Sequence, residues 1–434
     1  MRAGFAKRSI NPPPGTRMLG WTDRDCKGDG TGTHDDLCVR ALYLRHGDEA
    51  ALILAYDVVF FSREHADRLK AAVGRELDLL PRQILINCSH THAGPSVATF
   101  GHHHGLAPDW PYLELVERET RAAAAEARAT ARPVSIHAGA GQTTLPVSRR
   151  RPDGNGGVEW APYPDGAACR HLPLCLLRDD AGAPVCLLFS ISCHPSTVYG
   201  WEFSADFPGP ACDRLDAALG APAALFLQGF GGDTKASVIA DGGDDARPAW
   251  RGGTHADVAA AGEQVAREVL AGLNSGLTAV APALRTALIE QYYPLEPLPP
   301  RAVYEGARAS DQLLRRLWGE RQLQLLDRGL PLPGAAPILL QGMALGENLR
   351  LIAMEGEPVG ELGLHLLAQF PAGVTYPLGY SNGMGLYLPT SRMLPEGGYE
   401  VESYYEYGCP APLASGIEDV LDAGLAALRR AGIP

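Results

Sequence analysis

Gln83-Ile84-Leu85-Ile86-Asn87-Cys88-Ser89-His90-Thr91-His92-Ala93-Gly94-Pro95 reads as a short apolar run that breaks into a loop carrying two histidines. The pattern returns twice. Residues 184–191 form a second apolar run, followed by Ser192-Cys193-His194-Pro195. Residues 349–353 form a third, followed by Met354-Glu355-Gly356-Glu357-Pro358. Three side chains able to bind a metal thus leave the ends of three strand-like segments. In open α/β sheets that edge is where sites are built. Imidazole and carboxylate are ordinary ligands of catalytic zinc, which keeps one position open for water.

Outward from these runs, strands and helices alternate. Residues 49–57, 133–138 and 223–227 read as further strands. Residues 63–79 have helical spacing, with Ala66, Leu69, Val73 and Leu77 on one face. Residues 111–131, 209–219, 253–273 and 359–370 also read as helices, as does 303–329 in one piece. A closing helix over 416–431 takes Ser415 as its N-cap. Residues 338–345 and 349–354 make a hairpin turned by Gly346-Glu347-Asn348. The alternation predicts an α/β fold: a mixed β-sheet core with flanking helices and the metal site at the strand C-terminal edge. Residues 145–167 and 239–251, rich in Gly, Pro, Arg and Asp, read as loops beside that edge. The expected organisation is a single catalytic domain over 1–434, with a two-lobe division near 276–300 as the other option.

Composition narrows the function. Apolar residues make up 46% of the 434 and charged residues 20%, as in a soluble globular protein. A net charge of −12 gives no basic footprint, so no nucleic-acid partner is expected. No run has the length of a membrane span, and Met1 to Arg8 lacks the apolar stretch of a signal peptide. The nine cysteines are scattered without a Cys-x-x-Cys pair, which suits reduced thiols and a cytoplasmic location.

The same residues carry a resemblance. In order along the chain stand Gly32-Thr33-His34-Asp35-Asp36-Leu37, the His-Thr-His segment, Arg149-Arg150-Arg151 and Cys193-His194-Pro195. Ser204-Ala205-Asp206-Phe207-Pro208-Gly209, Gln228-Gly229-Phe230-Gly231-Gly232-Asp233 and Gly356-Glu357-Pro358 follow. The series closes with Ser381-Asn382-Gly383-Met384-Gly385-Leu386-Tyr387 and Gly397-Gly398-Tyr399-Glu400. This joint order resembles the catalytic domain of the neutral/alkaline, non-lysosomal ceramidases, which are zinc amidohydrolases. The resemblance implies zinc ligands at His90, His194, Glu357 and Tyr387, with His92 as general base. It implies that Arg149 binds the substrate carbonyl, with Arg150 as a rival in register, and that Tyr399 hydrogen-bonds the tetrahedral intermediate. These roles suit the groups: a base works best near neutral pKa, and a guanidinium binds a developing oxyanion.

The chain departs from the family at one position. Ceramidases carry Gly-Asp-x-Ser after the Gly-rich turn, where this chain reads Gly232-Asp233-Thr234-Lys235. Lys235 and its neighbour Asp233 are therefore candidate substrate-binding residues, and Lys235 replaces a neutral hydroxyl with a cation. The resemblance also lacks the family's C-terminal immunoglobulin-like domain. Three features admit other roles. His102-His103-His104 reads as a loop near the site, Gly229-Phe230-Gly231-Gly232 lacks the ending of a phosphate loop, and Asp206 either orients a ligand histidine or caps a turn. The expected function is zinc-dependent hydrolysis of an amide bond in a small or amphipathic N-acyl compound. The alternatives are an ester or lactone hydrolase, a biosynthetic acyltransferase, or an inactive metal-stabilised binding protein. The sequence leaves homo-oligomerisation open.

Overall fold

In the three runs that end in His90, His194 and Glu357, successive residues face opposite ways and both faces are buried. Along Ile84–Cys88, Ile84, Ile86 and Cys88 enter one core cluster, while Leu85 enters another. Strands covered on both sides read as continuous apolar runs rather than as alternation. The computed structural model describes residues 1–21, 27–97, 109–240 and 248–434.

Two sheets pack face to face. The larger has nine strands. Its spatial order is Ala224–Gln228, Pro184–Ile191, His171–Asp179, Arg132–Gln142, Arg2–Ser9, Cys38–His46, Glu49–Tyr56 and Ile84–Cys88, and Thr278–Val280 pairs with Arg132–Gln142 off this path. The pairs at its two ends are parallel and those between them antiparallel, so the sheet is mixed. The second sheet runs Pro282–Pro294, Ala335–Gly346, Leu349–Met354 and Val374–Leu378. Leu42, Ile53, Leu85 and Leu188 of the first meet Met343, Leu351, Tyr376 and Leu378 of the second in one core. Helices Arg63–Leu77 and Trp110–Ala129 cover one half of the large sheet's outer face. Pro208–Leu219 and His255–Asn274 cover the other half. Gly360–Ala368 and Ile417–Arg430 cover the outer face of the second sheet. The chain crosses between sheets after Val280, inside the 276–300 stretch.

Asn87, the polar interruption in the first run, ties the edges together. Its Nδ2 donates to the carbonyls of Gln228 (3.3 Å) and Gly379 (2.8 Å), and its Oδ1 accepts from the Gln228 amide at 2.8 Å. These bonds draw the ends of Ile84–Cys88, Ala224–Gln228 and Val374–Leu378 together, and the loops beyond them enclose the site.

Several expectations are corrected. Residues 145–167 are not a loop: Pro146–Pro152 and Val158–Tyr163 are strands of a three-stranded sheet completed by Thr234–Ala236. Within them Arg149 and Arg150 are buried against a distant carboxylate. The helix over 303–329 is two, Arg301–Arg308 and Leu313–Asp327, divided where Ser310 Oγ accepts from the Gln312 amide at 3.2 Å. A short hydroxyl side chain bonding nearby backbone competes with the helix ladder. The last helix is Ile417–Arg430, and Ser415 does not cap it. Ser391 Oγ, distant in sequence, accepts from the Gly416 and Ile417 amides at 3.0 and 3.2 Å. The charged strands Arg2–Ser9 and Cys38–His46 were not legible as strands. In the latter, buried Arg40 is paired with Asp57 at 2.7 Å. His102-His103-His104 and residues 241–247 lie outside the described residues. No helix among the described residues is long and apolar enough to cross a membrane.

Candidate active site

His90 is not on an extended segment. Its φ is +69°, a left-handed turn immediately after the Ile84–Cys88 strand, and its amide donates to the Val58 carbonyl at 3.0 Å. Extended i, i+2 alternation therefore does not explain how His90 and His92 converge. The turn brings their Nε2 atoms to 3.2 Å. His194 leaves the Pro184–Ile191 strand through Ser192-Cys193 and approaches from the other side. Glu357 follows Gly356 at φ +91° and pairs in parallel with Tyr387.

The donor set converges on one point. Glu357 Oε2 lies 3.2 Å from the Nε2 atoms of both His90 and His194. Tyr387 OH lies 3.2 Å from His194 Nε2. The other ring nitrogens are engaged: His90 Nδ1 with the Val59 carbonyl at 2.8 Å, and His194 Nδ1 with the Gly231 carbonyl at 2.7 Å. A carbonyl accepts only, so each Nδ1 carries the hydrogen, and in a neutral ring the Nε2 presents the lone pair. Burial, helped by the Arg149 charge, pushes His194 down to about 4, so this ring is neutral at pH 7. The His194 lone pair thus faces a carboxylate oxygen that is itself buried without a hydrogen-bond donor. A buried imidazole lone pair and a carboxylate oxygen 3.2 Å apart repel one another unless a cation lies between them. The residues fit a metal.

The glycines of Gly229-Phe230-Gly231-Gly232 serve this convergence rather than a phosphate. A Cβ on Gly231 would stand 2.6 Å from the Cys193 amide nitrogen, and one on Gly232 would stand 2.6 Å from the Glu357 carbonyl oxygen. The turn runs between the two ligand-bearing segments, which leaves no room for side chains.

A cavity of about 420 Å³ opens over the cluster. His92 lines it, and burial together with His90 and His194 holds this ring well below the ordinary histidine range. Arg149 lines it too, whereas Arg150 does not. Arg149 Nε donates to Glu400 Oε1 at 2.7 Å, its Nη2 donates to Tyr387 OH at 3.1 Å, and its guanidinium lies 4.1 Å from the centre of the Trp160 ring. Arg150 instead bonds Glu400 Oε2, Glu396 and the Gly397 carbonyl. Tyr399 stands at the cavity mouth, 37% exposed, and its OH donates to Glu406 Oε2 at 2.9 Å.

Two expected residues stand apart. Asp233 does not line this cavity: its Oδ1 accepts from the Gly360 amide at 2.7 Å, which fixes the start of helix Gly360–Ala368. Lys235 lies in an adjoining cavity, where burial followed by the Arg149 charge lowers it to about 8. Asp206 caps a turn, accepting from the amides of Thr197, Val198 and Phe207, and forms no bond to a histidine among the described residues. Sequence reasoning missed Tyr407, whose OH donates to Glu357 Oε1 at 2.7 Å, and Tyr380, whose ring lies 4.3 Å from His90. It also missed Glu400 and Ser196. The tyrosines between 380 and 407 marked the region, but no local pattern separates those that face the cavity.

Two packed sheets with a His, His, Glu and Tyr cluster at their strand ends define a ceramidase-like fold. A ceramidase complexed with C2 superposes with a TM-score of 0.75, covering 100% of this chain and 76% of its own at 14% identity. The neutral ceramidase from Pseudomonas aeruginosa gives 0.74, with 99% and 74% covered at 15% identity. At these identities the likeness establishes the fold. No protein-family model matches the sequence, and no curated protein sequence does.

Proposed function

We propose that this chain is a zinc-dependent hydrolase that cleaves the amide bond of a small or amphipathic N-acyl compound, with residues 1–434 acting as one catalytic domain. One observation carries the reading: Glu357 Oε2 lies 3.2 Å from both His90 Nε2 and His194 Nε2 while both Nδ1 atoms are tied to carbonyls. His90, His194, Glu357 and Tyr387 would hold the ion. When bound, zinc lowers the pKa of a water towards about 7 and polarises a carbonyl. The rest falls to the chain. His92, neutral and 3.2 Å from His90, takes a proton from the attacking water and passes it to the departing nitrogen. Arg149, held by Glu400 and stacked on Trp160, keeps Nη1 for the substrate oxygen, and Tyr399 at the mouth adds its hydroxyl by turning it from Glu406. Leu19, Val59, Phe60 and Leu314 give the acyl chain an apolar wall. The eight described cysteines are free thiols, which supports a cytoplasmic setting. Metal analysis of the purified protein, with a screen of N-acyl compounds of graded chain length, tests the reading. One zinc per chain is expected, lost together with activity in His90→Ala and His194→Ala. Full zinc occupancy in the double variant would place the site elsewhere.

A further inference from the structure

We propose that the cavity adjoining the metal centre is an anion subsite, and that Lys235 there receives a carboxylate or phosphate borne by the amine half of the compound cleaved. This rests on the reading above for where the acyl bond breaks. The cavity holds about 200 Å³ and shares Trp21 and Ser196 with the larger one. Lys235 extends into it from the Thr234–Ala236 strand, and its backbone bridges to His194. Its ammonium sits between two indoles, 5.4 Å from the Trp21 ring centre and 5.3 Å from that of Trp250. Ring faces attract the charge but give three N–H groups no proper acceptor. Among the described residues Lys235 forms no ion pair. The Trp250 Nε1 donor is likewise buried without an acceptor.

Among the described residues the acidic groups nearby are committed. Asp206, whose charge reaches Lys235, turns its oxygens to the Thr197, Val198 and Phe207 amides. Arg251, on the cavity wall, is bonded to Asp257. Among the described residues the cavity therefore offers donors without a free negative partner, the complement of a small oxyanion. Its position fixes which half of the substrate carries that group. Trp21 is the common wall, with its ring 5.1 Å from that of His92. His92 protonates the departing nitrogen, so the amine half lies on the Trp21 side, next to Lys235. Water adds across the C–N bond: the acyl half leaves as a carboxylate, and the anion stays on the released amine.

Binding can be separated from turnover with ketone analogues in which CH2 replaces the amide nitrogen. The probes are the analogues of N-hexanoylglycine, N-hexanoyl-β-alanine and N-hexanoyl-γ-aminobutyrate, their neutral carboxamides, and the phosphate of matching length. Calorimetry on the metal-loaded protein should show the best-spaced anion binding roughly ten- to a hundredfold more tightly than its carboxamide, the range for a hydrogen bond to a charged group. Lys235→Met should bring the anion-to-carboxamide ratio close to one, and Lys235→Arg should keep most of it. Lys235→Gln replaces Lys235→Met if the latter misfolds. A phosphate preferred over the carboxylates would assign the group as phosphate. Equal binding of anion and carboxamide by the parent protein, or a preference that survives in the neutral variants, would overturn the subsite. Lys235-dependent anion binding without hydrolysis of N-hexanoylglycine, N-hexanoyl-β-alanine or N-hexanoyl-γ-aminobutyrate would support the subsite and reject the amidase reading alone.

Discussion

Glu400→Gln removes the carboxylate that Arg149 bonds and one of the two that Arg150 bonds. Glu400 Oε1 accepts from Arg149 Nε at 2.7 Å and Oε2 from Arg150 Nη1 at 2.6 Å, with all three side chains buried. Burial opposes the charge of Glu400, but the two guanidinium groups outweigh it and hold the carboxyl below its ordinary range. Glutamine keeps one acceptor oxygen and turns an NH2 towards the other cation. Arg150 retains Glu396 and the Gly397 carbonyl, whereas among the described residues Arg149 retains only the hydroxyl of Tyr387 as a hydrogen-bond partner. Stranding a buried cation costs about 3–5 kcal/mol, so the variant should lose stability of that order. In an Arg149→Met background one stranded cation is already gone, and the same change should cost about half as much. A folded-state pKa below the unfolded value gives a contribution that is complete above the unfolded pKa of about 4.3. The difference between parent and variant should therefore be constant from about pH 5 to 8 and shrink as pH falls below about 4. Urea unfolding followed by tryptophan fluorescence at several pH values measures it. A cost below about 1 kcal/mol, as for an exposed pair, or equal costs in both backgrounds, would refute the reasoning.

Three further outcomes are expected. His92→Ala should keep its zinc and lose roughly two to four orders of magnitude in kcat, read alongside metal content; lost zinc would make His92 a ligand instead. Tyr407→Phe deletes the donor to Glu357 Oε1 and should weaken zinc binding about 10- to 100-fold in a competition titration with a chelator, with the fold unchanged by circular dichroism. Among the arginines, Arg149→Lys should cost about 3 kcal/mol in kcat/KM for a good N-acyl substrate, because a lysine cannot bond Glu400 and a substrate oxygen in one plane. A rate near that of the parent would move the oxyanion contact elsewhere.

The sequence was most legible where one physical requirement acted on consecutive residues. The runs ending at Cys88, Ile191 and Met354 are buried on both faces, so they stand out as apolar, and the ligand candidates lie just beyond them. The helices over 63–77 and 110–129 show their buried stripes for the same reason. Charged strands were hidden. Arg149 and Arg150 belong to a strand because Glu400, some 250 positions away, neutralises both, and no window of sequence contains that partner. Nor does a sequence window show that Ser391 caps the final helix while Ser415 does not.

From the sequence alone came the α/β class, the mixed sheet, and the identity of His90, His92, His194, Glu357 and Tyr387 as one candidate set. Tertiary structure decided how they meet. The left-handed turn at His90 aims its Nε2 at the Nε2 of His92, and the carbonyls of Val59 and Gly231 fix which ring nitrogen carries a lone pair. It also put Arg149 rather than Arg150 on the cavity wall, gave Asp233 to a helix start, and set Lys235 in an adjoining cavity. The reason is one of range. Burial and chain direction act between neighbours and leave a periodic mark, whereas lone pairs, ion pairs and cavities depend on partners that only folding brings within about 3 Å.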